Sequence, residues 1–114
     1  MKAFRTIILL CVVSLVFVSV AMAESCQYDT AWGVLTIHYN YDNNSVTGDY
    51  PHKSGSISGT LSENGVIKGQ WRQSDGRGKF VFYLNNNGFS GKWNYEGESL
   101  WRGEWNGKLK GCWK

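Results

Sequence analysis

The sequence predicts an all-β protein, specifically a small eight-stranded antiparallel up-and-down meander barrel with one disulfide. Three observations carry that prediction. A pentad of large apolar, polar, Gly, polar, large apolar residues, as in Phe89-Ser90-Gly91-Lys92-Trp93, occurs six times. Turn-forming clusters of Gly, Asn, Asp or Pro separate the pentads at steps of about eight to twelve residues, the spacing of a meander. Two cysteines, Cys26 and Cys112, stand near the two ends of what remains once an N-terminal leader is set aside.

The leader comes first in the chain. Lys2 and Arg5 precede an apolar run from Thr6 to Val20, and Ala21-Met22-Ala23 supplies the small-x-small pattern that a leader peptidase reads. Residues 1–23 are therefore predicted to be a secretory signal and 24–114 a single barrel domain. The competing reading is a membrane anchor, but the run is shorter than the ~20 residues a spanning helix needs. A secreted or periplasmic protein is expected, with no membrane attachment after the signal is removed.

Removing 23 of the 114 residues leaves 91, and Lys2 and Arg5 leave with them. The 12 basic side chains fall to 10 against 9 acidic ones, so the net charge of +3 becomes +1. No run of Lys and Arg survives as an electrostatic footprint, and nucleic acid is a poor candidate partner. Of the three cysteines, Cys11 departs with the leader. The remaining pair, in an oxidising compartment, reads as a Cys26–Cys112 disulfide rather than as two unrelated thiols. Closing so long a loop is worth about 4 kcal/mol in the chain-entropy model, a useful staple for a domain this small.

The strands follow in order. The first is predicted at 32–39 and the fifth at 79–84. The pentads supply the others, at 46–50, 57–61, 67–71, 89–93, 101–105 and 109–113. Within each pentad the apolar residues and the Gly recur at every second position, so a strand puts them on one dry face. A helix would scatter them and lose roughly 1 kcal/mol at each Gly relative to Ala. Gly in a strand interior also implies a dry face too crowded or curved to take a side chain. Between strands lie turn residues, including Glu63-Asn64-Gly65 and Asn106-Gly107. Connections this short join antiparallel neighbours, and closure into a barrel removes the two free edges of an open sheet.

Alternating strand direction sorts the dry-face residues by height. One rim collects Val46, Leu61, Ile67, Phe89, Trp105 and Leu109, and the other collects Tyr50, Ile57, Trp71, Trp93, Trp101 and Trp113, with Trp32 close by. The longer loops, 51–55, 74–78 and 94–98, fall at the aromatic rim. Tyr50, Trp71, Trp93, Trp101 and Trp113 are accordingly the candidate ligand-binding residues, for a glycan or a small amphipathic molecule held by stacking and Trp N–H donors. Two readings of the rim stand side by side, since an eight-stranded barrel is also just wide enough to be filled by its own side chains. An alternative function is a protein-interaction or inhibitor role, with a rigid barrel presenting loops such as 74–78 to a protein partner.

No catalytic residue, metal ligand or cofactor site is expected. His38 and His52 have no Cys or Glu at ligand spacing, and neither a nucleophile elbow nor a P-loop occurs. Asp75, Glu96 and Glu98 lie in rim loops, but nothing in the sequence fixes their separation, so the chain is not read as an enzyme.

The runs Val46-Thr47-Gly48-Asp49-Tyr50, Ile57-Ser58-Gly59-Thr60-Leu61, Gly69-Gln70-Trp71 and Phe89-Ser90-Gly91-Lys92-Trp93 resemble a Gly/Trp-rich β-repeat pattern of uncharacterised secreted bacterial proteins. That resemblance covers most of the mature chain and transfers no catalytic or binding residue. Residues 35–50, with Thr36-Ile37 before a turn and Thr47-Gly48-Asp49-Tyr50 after it, also distantly resemble a hairpin of avidin-type barrels. The chain is shorter than those barrels and departs from the rest of their pattern, so biotin binding is not implied.

Overall fold

The structure, a computed structural model, describes residues 23–114; the predicted leader, apart from Ala23, lies outside them. Nine strands occur: β1 (Ala23–Thr30), β2 (Gly33–Asn40), β3 (Ser45–Tyr50), β4 (Gly55–Leu61), β5 (Val66–Gln73), β6 (Gly76–Asn85), β7 (Gly88–Tyr95), β8 (Gly103–Glu104) and β9 (Gly107–Trp113), with one 3-10 turn at His52–Ser54. Each strand from β1 to β7 pairs antiparallel with the next, and β9 closes the barrel by pairing with both β1 and β7. The protein is thus an all-β, closed eight-strand antiparallel barrel with one extra short strand, stapled by a disulfide between Cys26 and Cys112.

The eight staves are not the eight expected. β1 lies ahead of the first predicted strand at 32–39, and Cys26 and Tyr28 are its only buried residues. It is held by a full ladder to β2, with Cys26 opposite Ile37 and Tyr28 opposite Leu35. At the other end, the predicted strand at 101–105 shrinks to the two residues of β8. Glu104 pairs with Lys92, and three positions on Gly107 pairs with Phe89, so β8 and β9 run in the same direction along β7. Asn106-Gly107 is therefore no hairpin turn but a break within one stave. Trp105 N–H donates to the Gly91 carbonyl, yet the Gly91 N–H donates to the Asn106 side chain, which interrupts the ladder there.

The central glycines have the role their position suggested. Gly59 and Gly69 stand directly opposite each other, and a Cβ on either would collide with the neighbouring strand's backbone. At Gly48 it would lie 2.6 Å from the Thr36 carbonyl oxygen. The sheet is curled so tightly at these points that only Gly fits.

The dry face is as expected for the first pentads, with Val46, Tyr50, Ile57, Ile67, Trp71 and Phe89 all buried. The last pentad departs. A bulge places Gln27 opposite Gly111 but Tyr28 opposite Leu109, and sets Cys112 opposite Cys26. Directly paired residues share a face, so Cys112 sits on the side of Cys26 while remaining exposed, and Gly111 and Trp113 point to the other side. Leu109, expected at the aliphatic rim, is exposed for a related reason, since β7 ends beside it.

Phe80, Phe82, Leu35, Ile37 and Ile67 are fully buried across the barrel's midsection. The Phe82 ring stacks on Phe89 at 4.0 Å and meets Trp105 edge-on at 5.1 Å. The midsection is thus filled by its own side chains, and what remains open is confined to the two ends and the outer wall. Toward the end opposite the aromatic rim, Tyr28 and Tyr39 share a hydrogen bond of 2.8 Å between their hydroxyls, and Tyr41 donates to Glu24.

Candidate ligand-binding site

Three hairpin tips and one loop build the aromatic end. The first tip is Ala31-Trp32, where Gly33 takes a positive φ of 97° and Thr30 Oγ1 both donates to the Gly33 carbonyl and accepts from Trp32 N–H. This short turn lifts the Trp32 ring over the barrel mouth, where it stacks on Trp105 at 6.0 Å and meets Trp93 edge-on at 6.1 Å. Trp71 meets Trp93 at 5.9 Å and Tyr95 at 5.6 Å, both edge-on. These contacts are the offset and T-shaped geometries that the ring quadrupoles favour.

The other wall of the mouth is polar. Tyr50 hydroxyl donates to Gln73 Oε1 at 2.8 Å, Gln73 Nε2 donates to Asp75 Oδ1 at 3.0 Å, and Lys53 Nζ donates to Asp75 Oδ2 at 2.6 Å. The Lys53 bond, followed by the one from Gln73, holds the Asp75 carboxyl below the usual carboxylate range. Asp75 is therefore ionised at neutral pH. Lys53 and Ser54 both adopt left-handed backbone, with φ of 51° and 53°. Side chains other than Gly visit that region at a cost, and such residues concentrate at functional sites.

Between the walls lies a cleft of about 370 Å³, bordered by Trp32, Trp71, Trp93, Tyr95 and Trp105 on one side and His52, Lys53, Gln73 and Asp75 on the other. Of the candidate residues, Trp71 and Trp93 line it as expected. Tyr50 lies beneath it, buried, with its ring edge-on to Trp105 at 5.2 Å, and reaches the cleft only through Gln73. Trp101 and Trp113 do not line it. Trp101 sits in the loop before β8, 45 % exposed, and Trp113 is 47 % exposed on the outer face of β9.

Trp105, expected at the aliphatic rim, lies instead at the aromatic end against Trp32 and Tyr50 and is the most informative addition. It is 4 % exposed, yet its indole Nε1 has no hydrogen-bond partner. A buried donor left unpaired is costly to stability. Tyr95 could have been found by carrying the β7 alternation two residues past Trp93. The loop expected at 74–78 is only the two-residue tip Ser74-Asp75, because the β5–β6 ladder runs out to Gln73 opposite Gly76.

No family model matches this chain, and no curated protein or solved structure is significantly similar to it. What the site can do is therefore argued from its own chemistry. Among the described residues, Glu24, Cys26 and Cys112 bring potential metal-ligand atoms together, but both sulfurs are consumed by the disulfide and cannot coordinate as thiolates.

Proposed function

We propose that this is a non-catalytic secreted or periplasmic binding protein whose aromatic mouth holds a sugar ring. The observation that carries this reading is the pairing of two unlike walls across one cleft. Half-buried Trp32 and Trp93 offer indole faces for stacking, and the Gln73-Asp75-Lys53 chain opposite offers donors and acceptors for hydroxyls. Asp75, held ionised by Lys53, is a poor general acid, which supports binding rather than glycoside hydrolysis. The leader predicted from the sequence and the disulfide support a location outside the reducing cytoplasm.

Titrating a panel of neutral oligosaccharides into wild type and Trp93→Ala tests the proposal. Binding to wild type that is weakened at least about tenfold by Trp93→Ala, with the melting temperature nearly unchanged, is the expected result. Absence of binding across the panel, or binding indifferent to Trp93, would contradict it.

A second reading, docking of a protein partner at the rim, is favoured by Leu100 and Trp101, exposed at 79 % and 45 % beside the mouth. It predicts a complex lost on Leu100→Ser and untouched by Trp93→Ala.

A further inference from the structure

A cleft of about 540 Å³, larger than the mouth, lies on the outer wall and shares Trp71 with it. Outward side chains of three strands border it: Ser56 and Ser58 on β4, Gln70 and Arg72 on β5, Arg77 and Lys79 on β6. The register places Arg72 directly opposite Arg77, and Gln70 directly opposite Lys79. Like charges in directly opposed cross-strand positions repel each other and destabilise the pair. Only one carboxylate, Glu96, lies at the cleft, and it is paired with Arg77. Arg72 and Lys79 have no carboxylate partner among the described residues. Three cations thus border one concave surface with a single anion among them, although the mature chain as a whole is nearly neutral.

The geometry points to an anion-binding groove on the outer β4–β6 wall, made for the sulfate or carboxylate groups of an acidic oligosaccharide. The guanidinium of Arg72 presents the planar fork that such groups accept, and Lys79 adds a point charge beside it. Ser56, Ser58 and Gln70 supply neutral hydrogen-bonding groups for sugar hydroxyls, which a polyanion recognised by charge alone would not need. The sugar class rests on the reading of the mouth as a sugar site: a ring stacked there would extend past Trp71 with its charged substituents over Arg72 and Lys79.

The test compares binding of a sulfated, a uronic and a neutral oligosaccharide of equal length, and of a single-stranded oligonucleotide, to wild type, to the Arg72→Gln/Lys79→Gln double variant and to Trp93→Ala. Acidic sugars are expected to bind wild type about tenfold or more tighter than the neutral one at low salt, with the advantage lost near 0.5 M salt and in the double variant. The sulfated and uronic arms show which acid group the groove takes. Both substituted side chains are exposed, and removing one of two opposed cations should leave the melting temperature level or slightly raised. Equal affinity for acidic and neutral sugars, or an advantage that survives in the double variant, overturns the inference while leaving the mouth reading intact. If the double variant loses the acidic advantage but Trp93→Ala changes nothing, the groove stands and the mouth reading falls. Tighter binding of the oligonucleotide than of either acidic sugar overturns the assignment to sugars.

Discussion

Burial raises the ionisation of Tyr28, Tyr39 and Tyr50 above the ordinary tyrosine range, and burial followed by the hydrogen bond to Glu24 pushes Tyr41 up to about 12. The folded chain therefore keeps phenol protons that the unfolded chain gives up from about pH 10 upward. Stabilisation from these groups is fully present below that value and is lost as pH rises through the folded values. Melting temperatures should hold level into mildly alkaline solution and fall steadily above about pH 10; a level profile to pH 12 would contradict the burial of these hydroxyls. Trp71 makes a second residue-level case. It is 4 % exposed and its indole donates to the Asn94 carbonyl at 3.0 Å. Trp71→Ala should cost about 3–5 kcal/mol in a denaturant titration, unlike the half-buried Trp93. Both residues were legible in the sequence as members of one aromatic rim, because the pentad fixes their face and strand direction fixes their height. Trp105 was not, since the destination of its ring depends on where the last stave breaks.

β9 shows how a strand carries marks that sequence pattern alone misassigns. Beyond Leu109, whose N–H donates to the Asn87 carbonyl, it pairs with β1 but has no partner on its β7 side among the described residues. Lys110 and the bulge lie on this exposed stretch and Lys114 directly follows it, and Lys and bulges are the usual protection of free edges against self-pairing. A Lys110→Val/Lys114→Thr variant should show concentration-dependent association by sedimentation where wild type stays monodisperse. The sequence reading found the Cys26–Cys112 pair and missed the strand that carries Cys26, because a stave with two buried residues gives too short an alternation to detect. The disulfide joins that stave to β9 across 86 residues of chain. Reducing it should lower stability by about 4 kcal/mol by loop closure, and an unchanged melt would show that the ladder alone suffices.

At the level of the molecule, the barrel reconciles two readings that the sequence left open. The midsection is packed solid with Phe80, Phe82 and Phe89, so no ligand enters the interior. The aromatic cleft lies above that floor, built from Trp32, Trp71, Trp93, Tyr95 and Trp105. Fold class was legible because the pentads at 46–50, 57–61, 67–71 and 89–93 specify one dry face, and the glycine at the centre of each marks the curvature. The cleft was legible only in part, because barrel stagger decides which rings share a height, and stagger is set by pairings between distant strands such as β1 and β9. The most direct measurement is therefore a map of the indole N–H resonances during titration with a bound oligosaccharide. Shifts confined to Trp32, Trp71, Trp93 and Trp105, with Trp101 and Trp113 unmoved, are the predicted result. Shifts at Trp101 or Trp113 with a silent Trp93 and Trp105 would place binding elsewhere and contradict the account.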